Sequence, residues 1–180
     1  MPRRPDDDAM REVARLYDEY GASLYRYAVV LLTDSAAAED VEHQVFSALM
    51  QPGRGPIDQP DRYLRRAVRN ECYSWLRRRQ SSQQGEAPYL EPVEGVSPAA
   101  SAEERLALET GLRALPPEQR DVIYWHVYEG RTFREIADEQ DESINTIASR
   151  YRYALSRLKA SLDGSPEPPS RRSPADDVRS

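Results

Sequence analysis

The chain has 180 residues, 39% of them hydrophobic and 31% charged, with a formal net charge of −6. That is enough for one ordinary domain or two small ones with a modest core. No run approaches the roughly 20 apolar residues of a membrane helix, "MPRRPDDDAMRE" lacks the apolar stretch of a secretory signal, and a lone cysteine, Cys72, excludes an internal disulfide and a Cys-rich zinc site.

These features fit the reducing cytoplasm, with Cys72 a small buried side chain. The negative total hides two basic blocks. One is "RYLRRAVRN" with "SWLRRRQ"; the other, "SRYRYALSRLK", contains no acid. Two basic patches on an acidic body suggest two local anion contacts.

In chain order, Val13, Leu16, Tyr17, Tyr20, Leu24, Tyr25, Ala28, Leu31 and Leu32 recur at steps of three and four. This spacing predicts an amphipathic helix over 10–32, slightly weakened by Gly21. Ser35 suits the N-cap of a second helix, "AAAEDVEHQVFSALM", which "QPGRGPIDQP" ends. A third helix is expected from about Asp61 to Arg79, and the three pack as a bundle.

Residues 80–100 include "SSQQGEAPYLEPVEGVSPAA", too polar and aperiodic to fold alone, and read as a flexible linker. Order resumes over 101–162. Ser101 and Glu104 form one capping box, and Thr132 and Glu135 another, opening "TFREIADEQ". Pro117 fits a helical first turn. Ser143 caps a last long helix reaching about Leu162, and the tail 163–180 is expected to be disordered. The fold class is all-α: an N-terminal helical bundle and a C-terminal helix-turn-helix domain.

At about 100° per residue, the third helix divides into two sides. Arg62, Arg65, Arg66, Arg69, Tyr73 and Arg77 share one face with Asn70 at its margin. Leu64, Val68, Cys72 and Trp75 lie opposite. Guanidinium groups hold phosphate and aromatic rings stack on unpaired bases, a combination suited to single-stranded or melted DNA. A plain solvated basic face is the competing interpretation.

The last helix divides likewise. Ile144, Ile147, Tyr151, Ala154, Leu155 and Leu158 form the expected buried side, and Asn145, Thr146, Ser149, Arg150, Arg152, Tyr153 and Arg157 the opposite one. A short helix, a tight turn and a longer helix with a polar, Arg-rich face match a helix-turn-helix, with Arg152 placed to reach a guanine edge. An ordinary helical hairpin is the alternative. The acids Asp138, Glu139, Asp141 and Glu142 at the turn are expected to weaken attraction to phosphate, with Asp141 left-handed in the turn.

His43 and His126 are isolated on helical patterns, so each is expected to be structural; zinc needs three or four convergent ligands. There is no Gly-rich phosphate loop and no nucleophile-elbow motif. Glu39 and Asp40 diverge on a helix. No enzymatic site and no cofactor are expected.

With those residues in place, the chain resembles the bacterial RNA polymerase sigma factors of the sigma-70 family, in the extracytoplasmic-function group. "LYDEYGASLYRYAVVLL" resembles the start of region 2, and "AEDVEHQVFSAL" its Ala-Glu-Asp-x-x-Gln-x-x-Phe stretch. "RYLRRAVRNECYSWLRRR" resembles its Trp-Leu-x-x-x-x-x-Asn-x-x-x-Asp-x-x-Arg-Arg helix. "LRALPPEQRDVIYWHVYEGRTFREIADEQDESINTIASRYRYALSRLK" resembles region 4.

The resemblance implies region 2 over 10–79 and region 4 over 101–162. It implies core RNA polymerase as a partner, through its β′ clamp helices at Asp40, His43, Gln44 and Phe46 and through its β flap. It implies promoter DNA as the other partner. The −10 element would be recognised and melted by Arg62, Arg65, Arg66, Arg69, Asn70, Tyr73 and Arg77 together with the loop Gln51–Asp61. The −35 element would be read by Asn145, Thr146, Ser149, Arg150, Arg152, Tyr153 and Arg157. An anti-sigma factor is a further partner the family leaves room for.

The chain departs from the family at His43, Gln44, Tyr63, Ser74, Asp141, Asn145 and Ala148. Ala148 stands where a basic residue is frequent, so the family's promoter sequence is not carried over. A stand-alone helix-turn-helix regulator remains the alternative; it would bind duplex DNA tightly without polymerase and leaves the Arg/Tyr helix without a task. A helical adaptor that binds only protein would make no use of either aligned basic face.

Overall fold

The computed structural model describes residues 5–51, 57–82 and 101–162. The linker 83–100, the tail 163–180 and loop residues 52–56 lie outside them. Among the described residues there are helices and no strand. They are α1 (Pro5–Leu32), α2 (Ser35–Leu49), α3 (Pro60–Ser82), α4 (Ala102–Ala114), α5 (Pro117–Ile123), a π-helical turn (Tyr124–Tyr128), α6 (Phe133–Gln140) and α7 (Ile144–Leu162). The expected all-α class and helix order hold.

α1, α2 and α3 pack on one another as a three-helix bundle. Leu16, Leu24, Ala28, Leu31, Val41, Val45, Leu64, Val68 and Cys72 are buried between them. Two expectations for α1 change. Tyr17 is exposed at its outer edge, and Tyr27, outside the predicted stripe, is almost wholly buried. The last turns of α1 are covered on several sides, because α5 packs on it as well as α2 and α3. Gly21 lets α2 come close: a Cβ there would stand 3.1 Å from Glu42 Oε1. The N-cap of α2 is Asp34 rather than Ser35. Asp34 is extended and its side chain accepts from the Ala37 amide, which satisfies a free donor of the first turn.

In the second half, α4, α5 and α6 pack on α7. Pro117 sits in the first turn of α5, as expected. Thr132 and Glu135 form the reciprocal capping box of α6, and Asp141 ends that helix with φ 57 and ψ 44 in the left-handed region. The Ser143 hydroxyl accepts from the Thr146 amide at 3.0 Å, capping α7. The Ser101–Glu104 box involves a side chain outside the described set.

The buried stripe of α7 is narrower than the sequence suggests. Ile147, Ala154 and Leu158 are buried, whereas Ile144 and Leu155 are exposed. Partners on one side only leave a seam with alternating steps of three and four, and Leu155, about 100° round from Ala154, falls outside it. His126 is structural here: its Nδ1 lies 2.7 Å from the Arg131 carbonyl, and its ring packs on Phe133 and Tyr151.

The two halves share one apolar core. Val122, Tyr124, Trp125, Ile136, Ala137 and Ile147 join the cluster built by α1, α2 and α3. Their junction is aromatic: the Tyr27 ring lies 5.0 Å from Tyr124 and 4.9 Å from Trp125. The π-helical turn adds an extra residue per turn at this point. It carries Tyr124 and Trp125 inward and leaves Val127 exposed.

Candidate nucleic-acid interface

α3 forms because its apolar residues recur at helical spacing, and burial of Leu64, Val68 and Cys72 fixes its rotation. The basic face therefore turns away from the bundle core. The structure splits that face lengthwise. Arg62, Arg66, Asn70 and Arg77 are exposed on its outer side, whereas Arg65, Arg69 and Tyr73 are part-buried on the side facing the second half.

The covered arginines are bonded to the second half. Arg65 Nε donates to Glu139 Oε1 at 2.8 Å, and its guanidinium also pairs with Asp61 in its own helix. It stacks 5.4 Å from the Trp125 ring, which Arg131 approaches to 5.6 Å. Arg131 in turn lies 3.6 Å from Glu139. Arg62 donates to the Asp138 carbonyl at 3.3 Å.

Arg69 Nε donates to Asp121 Oδ2 at 2.8 Å, and its Nη2 donates to Gln140 Oε1 at 3.3 Å. Asp121 is 1% exposed. It also accepts from the Tyr27 hydroxyl at 2.8 Å, from Gln140 Nε2 at 3.2 Å and from the Tyr73 hydroxyl at 3.4 Å. A buried carboxylate is tolerable when its lone pairs are filled by donors and a counter-charge. Burial disfavours the charged Arg69 guanidinium, but the Asp121 carboxylate outweighs it and raises the pKa. Burial, with the neighbouring Asp121 charge, also pushes the Tyr73 and Tyr27 hydroxyls up, so both remain neutral donors.

A cavity of about 40 Å³ remains in this seam, lined by Arg65, Arg66, Arg69, Asn70, Trp125 and Gln140 among others. It has room for a few waters, and a larger open groove of about 460 Å³ lies beside it, lined by Arg62, Arg65, Arg131 and Glu139 among others.

On α7, Asn145, Arg152 and Tyr153 are exposed, and Thr146, Ser149, Arg150 and Arg157 are part-buried. Arg150 Nη2 donates to Glu142 Oε1 at 2.9 Å, and Arg152 Nη2 to Ser149 Oγ at 3.3 Å. The acids of the turn thus have definite tasks. Glu139 holds Arg65 and Glu142 holds Arg150, which periodicity alone does not reveal.

On α2, Asp40, His43 and Gln44 share an exposed face. Phe46, expected on the polymerase-binding surface, is 5% exposed and packs edge-to-face on Tyr17 at 5.0 Å. Its helical phase is that of Ala38, Glu42 and Leu49, which are buried as well, so it supports that face from beneath, with Tyr17 as the exposed ring.

Sequence reasoning missed Asp121, Trp125 and Tyr27. One cue was present: Asp121 lies in phase with Tyr124 and Trp125, both of which are buried. Among the described residues, no carboxylate is bonded to the buried Arg120. Burial lowers its pKa to about 10, and its Nη1 donates to the Arg113 carbonyl at 3.2 Å. Among the described residues no helix is long and apolar enough to cross a membrane.

Comparison with known proteins places two matches in order along the chain. Residues 16–82 match the family model for sigma-70 region 2, and residues 111–160 match that for sigma-70 region 4. The chain is 31% identical over 156 residues to the ECF RNA polymerase sigma factor SigL of Mycobacterium tuberculosis, in strains H37Rv and CDC 1551 among others; the match covers 82% of this chain and 86% of that protein. Among solved structures, the sigma factor RpoE from Bartonella quintana, crystallised in complex with the anti-sigma factor NepR, aligns with a TM-score of 0.61 at 21% identity. That alignment covers 87% of this chain and 97% of that one, and it is a likeness of fold.

Proposed function

This chain belongs to the sigma-70 family, as a sigma factor of the extracytoplasmic-function type that directs promoter-specific transcription initiation, and from that premise we propose how its residues divide the work. Its partners are core RNA polymerase and promoter DNA. The family is made of initiation factors without catalytic chemistry of their own, and we assign none to this chain: the polymerase supplies it, in the cytoplasm.

Region 2 is α1 to α3, with α3 running past the expected boundary at 79 to Ser82, and region 4 is α4 to α7, over 101–162, joined through 83–100. The α2 face of Asp40, His43 and Gln44, with Tyr17 beside it and Phe46 beneath it, docks the β′ clamp helices. The α3 face binds and helps melt the −10 element. Arg62, Arg65, Arg66, Arg69 and Arg77 hold backbone phosphates, and Asn70 and Tyr73 meet unpaired bases. On α7, Thr146, Ser149, Arg150 and Arg157 contact phosphate, while Asn145, Arg152 and Tyr153 read the −35 duplex and Arg152 takes a guanine edge. An anti-sigma factor is a further partner, suggested by the fold likeness to a sigma factor crystallised with one.

The observation that carries this division is the pair of exposed polar sets, Arg62, Arg66, Asn70 and Arg77 on α3 and Asn145, Arg152 and Tyr153 on α7, one in each matched region. A stand-alone helix-turn-helix regulator accounts only for the second. The test is the double substitution Arg66→Ala with Asn70→Ala, both on exposed positions. Promoter melting with core polymerase is expected to be lost while core binding is kept. Lost core binding with the protein folded would show that this face docks polymerase instead.

A further inference from the structure

We propose that Glu142 is a specificity-determining residue of the −35 reader: it holds Arg150 away from backbone phosphate, so that less of the affinity for duplex DNA is independent of sequence. The proposal rests on the assignment of α7 to the −35 element and adds to it a residue outside the reading set.

The turn between α6 and α7 puts Glu142 in place. Asp141 is left-handed, and the Glu142 amide donates back to the Ala137 carbonyl at 3.0 Å. A bond from the sixth residue to the carbonyl of the first is the pattern that closes a helix through a left-handed residue. The backbone of Glu142 is therefore fixed where α7 begins, and Ser143 caps that helix from the next position.

From there Glu142 Oε1 accepts from Arg150 Nη2 at 2.9 Å. The four acids of the turn thus differ. Glu139 bonds Arg65 of α3, Asp141 shapes the turn, and Asp138 is exposed. Of the four, Glu142 bonds an arginine of α7.

Arginine binds carboxylate and phosphate with the same planar donors, so Glu142 and a DNA phosphate compete for Arg150. The pair is partly covered, with the side chains 23% and 34% exposed, and salt screens it less than an open surface pair. The guanidinium is also drawn inward: Arg150 Nη1 is buried with no hydrogen-bond partner among the described residues. An unmatched buried donor is costly. The Glu142 carboxylate favours the held position and the orphaned Nη1 opposes it, so a phosphate has only part of the ion pair to overcome.

Arg152 differs. It is exposed and bonds the Ser149 hydroxyl, with no counter-charge to give up. Phosphate contacts supply affinity without sequence information, and base-edge contacts discriminate. Withholding Arg150 from phosphate leaves a larger share of the binding to Asn145, Arg152 and Tyr153.

The test is binding of the full chain, without polymerase, to a fluorescent random-sequence duplex of about 30 base pairs, with salt varied from about 50 to about 200 mM. Glu142→Gln keeps the size of the side chain and removes its charge. Each arginine that takes a phosphate steepens log affinity against log salt by about 0.9. Glu142→Gln, checked for helix content, should bind tighter than wild type, with an advantage about threefold larger at the low end of that range than at the high end. In an Arg150→Ala background the same substitution should change affinity and slope little, a coupling that the double-mutant cycle isolates. With polymerase, Glu142→Gln should discriminate less among promoters whose −35 sequence is randomised.

An unchanged slope, or an equal gain with and without Arg150, overturns the proposal. A shallower slope overturns it too, by showing that Glu142 presents Arg150 to phosphate instead. Arg152→Ala tests the assignment beneath it. If Arg152→Ala weakens duplex binding and Glu142→Gln changes nothing, the −35 assignment stands and the role of Glu142 alone fails. If neither changes binding, α7 is not the DNA face and both fail.

Discussion

Arg69, on the side of α3 that faces the second half, donates to Asp121 of α5 at 2.8 Å, and Asp121 is the most deeply buried acid among the described residues. A residue assigned to promoter DNA is thus also a structural partner of the other half. Substitution at this pair reports on stability and on function at once. Asp121→Ala leaves Arg69, the Tyr27 hydroxyl and the Gln140 amide without their shared acceptor. Loss of one member of a buried pair costs about 3 kcal/mol or more. Denaturant unfolding should show that loss, with Asp121→Asn costing less because it keeps an acceptor oxygen.

Arg152 is exposed on α7, and among the described residues its side chain bonds locally, to Ser149 at 3.3 Å. Arg152→Ala should leave folding unchanged and relax −35 preference by about 1–3 kcal/mol at a single base pair. Initiation across a promoter library with that pair randomised measures it; an unchanged preference would remove Arg152 from the reading set.

Asp141 ends α6 in the left-handed region, with φ 57. Glycine takes that conformation without steric cost and is the usual residue past a helix C-terminus. Asp141→Gly should stabilise the fold by about 0.5–1 kcal/mol, read as a higher denaturant midpoint with unchanged slope.

Glu42 is a buried carboxyl between α1 and α2. Burial raises its pKa above the usual carboxylate value; the neighbouring His43 opposes the rise and Glu39 adds to it. A folded pKa above the unfolded one means the native state binds more protons through that window, so stability falls as pH rises across it. Glu42→Gln, neutral at every pH, should raise Tm at pH 7 by about 2–4 °C, the shift given by about 1 kcal/mol in a chain of this size. The advantage should vanish below the unfolded pKa of Glu42, where both side chains are neutral. Equal melting of the two proteins at pH 7 would contradict the burial argument.

What the sequence made legible was local. The rotation of α3 follows from Leu64, Val68 and Cys72, and the capping box of α6 from Thr132 and Glu135, because each rests on residues within a turn or two. The closed seam was not legible. Tyr27 and Asp121 lie 94 positions apart, and no periodicity links an α1 tyrosine to an α5 carboxylate. The same holds for Arg65 and Glu139, 74 positions apart. Each fits a solvated surface when read alone, and only packing shows that they face one another. Phe46, expected on a surface, is buried, because the family pattern that names it does not say whether the ring is exposed or lies beneath its neighbours.

The central claim is that this chain confers promoter choice on RNA polymerase. The most direct measurement is reconstituted transcription: core polymerase, the full chain and a library of genomic promoter fragments, with start sites mapped with and without the chain. The account predicts initiation at a discrete promoter set only when chain and polymerase are both present. Starts that do not change when the folded chain is added would contradict it.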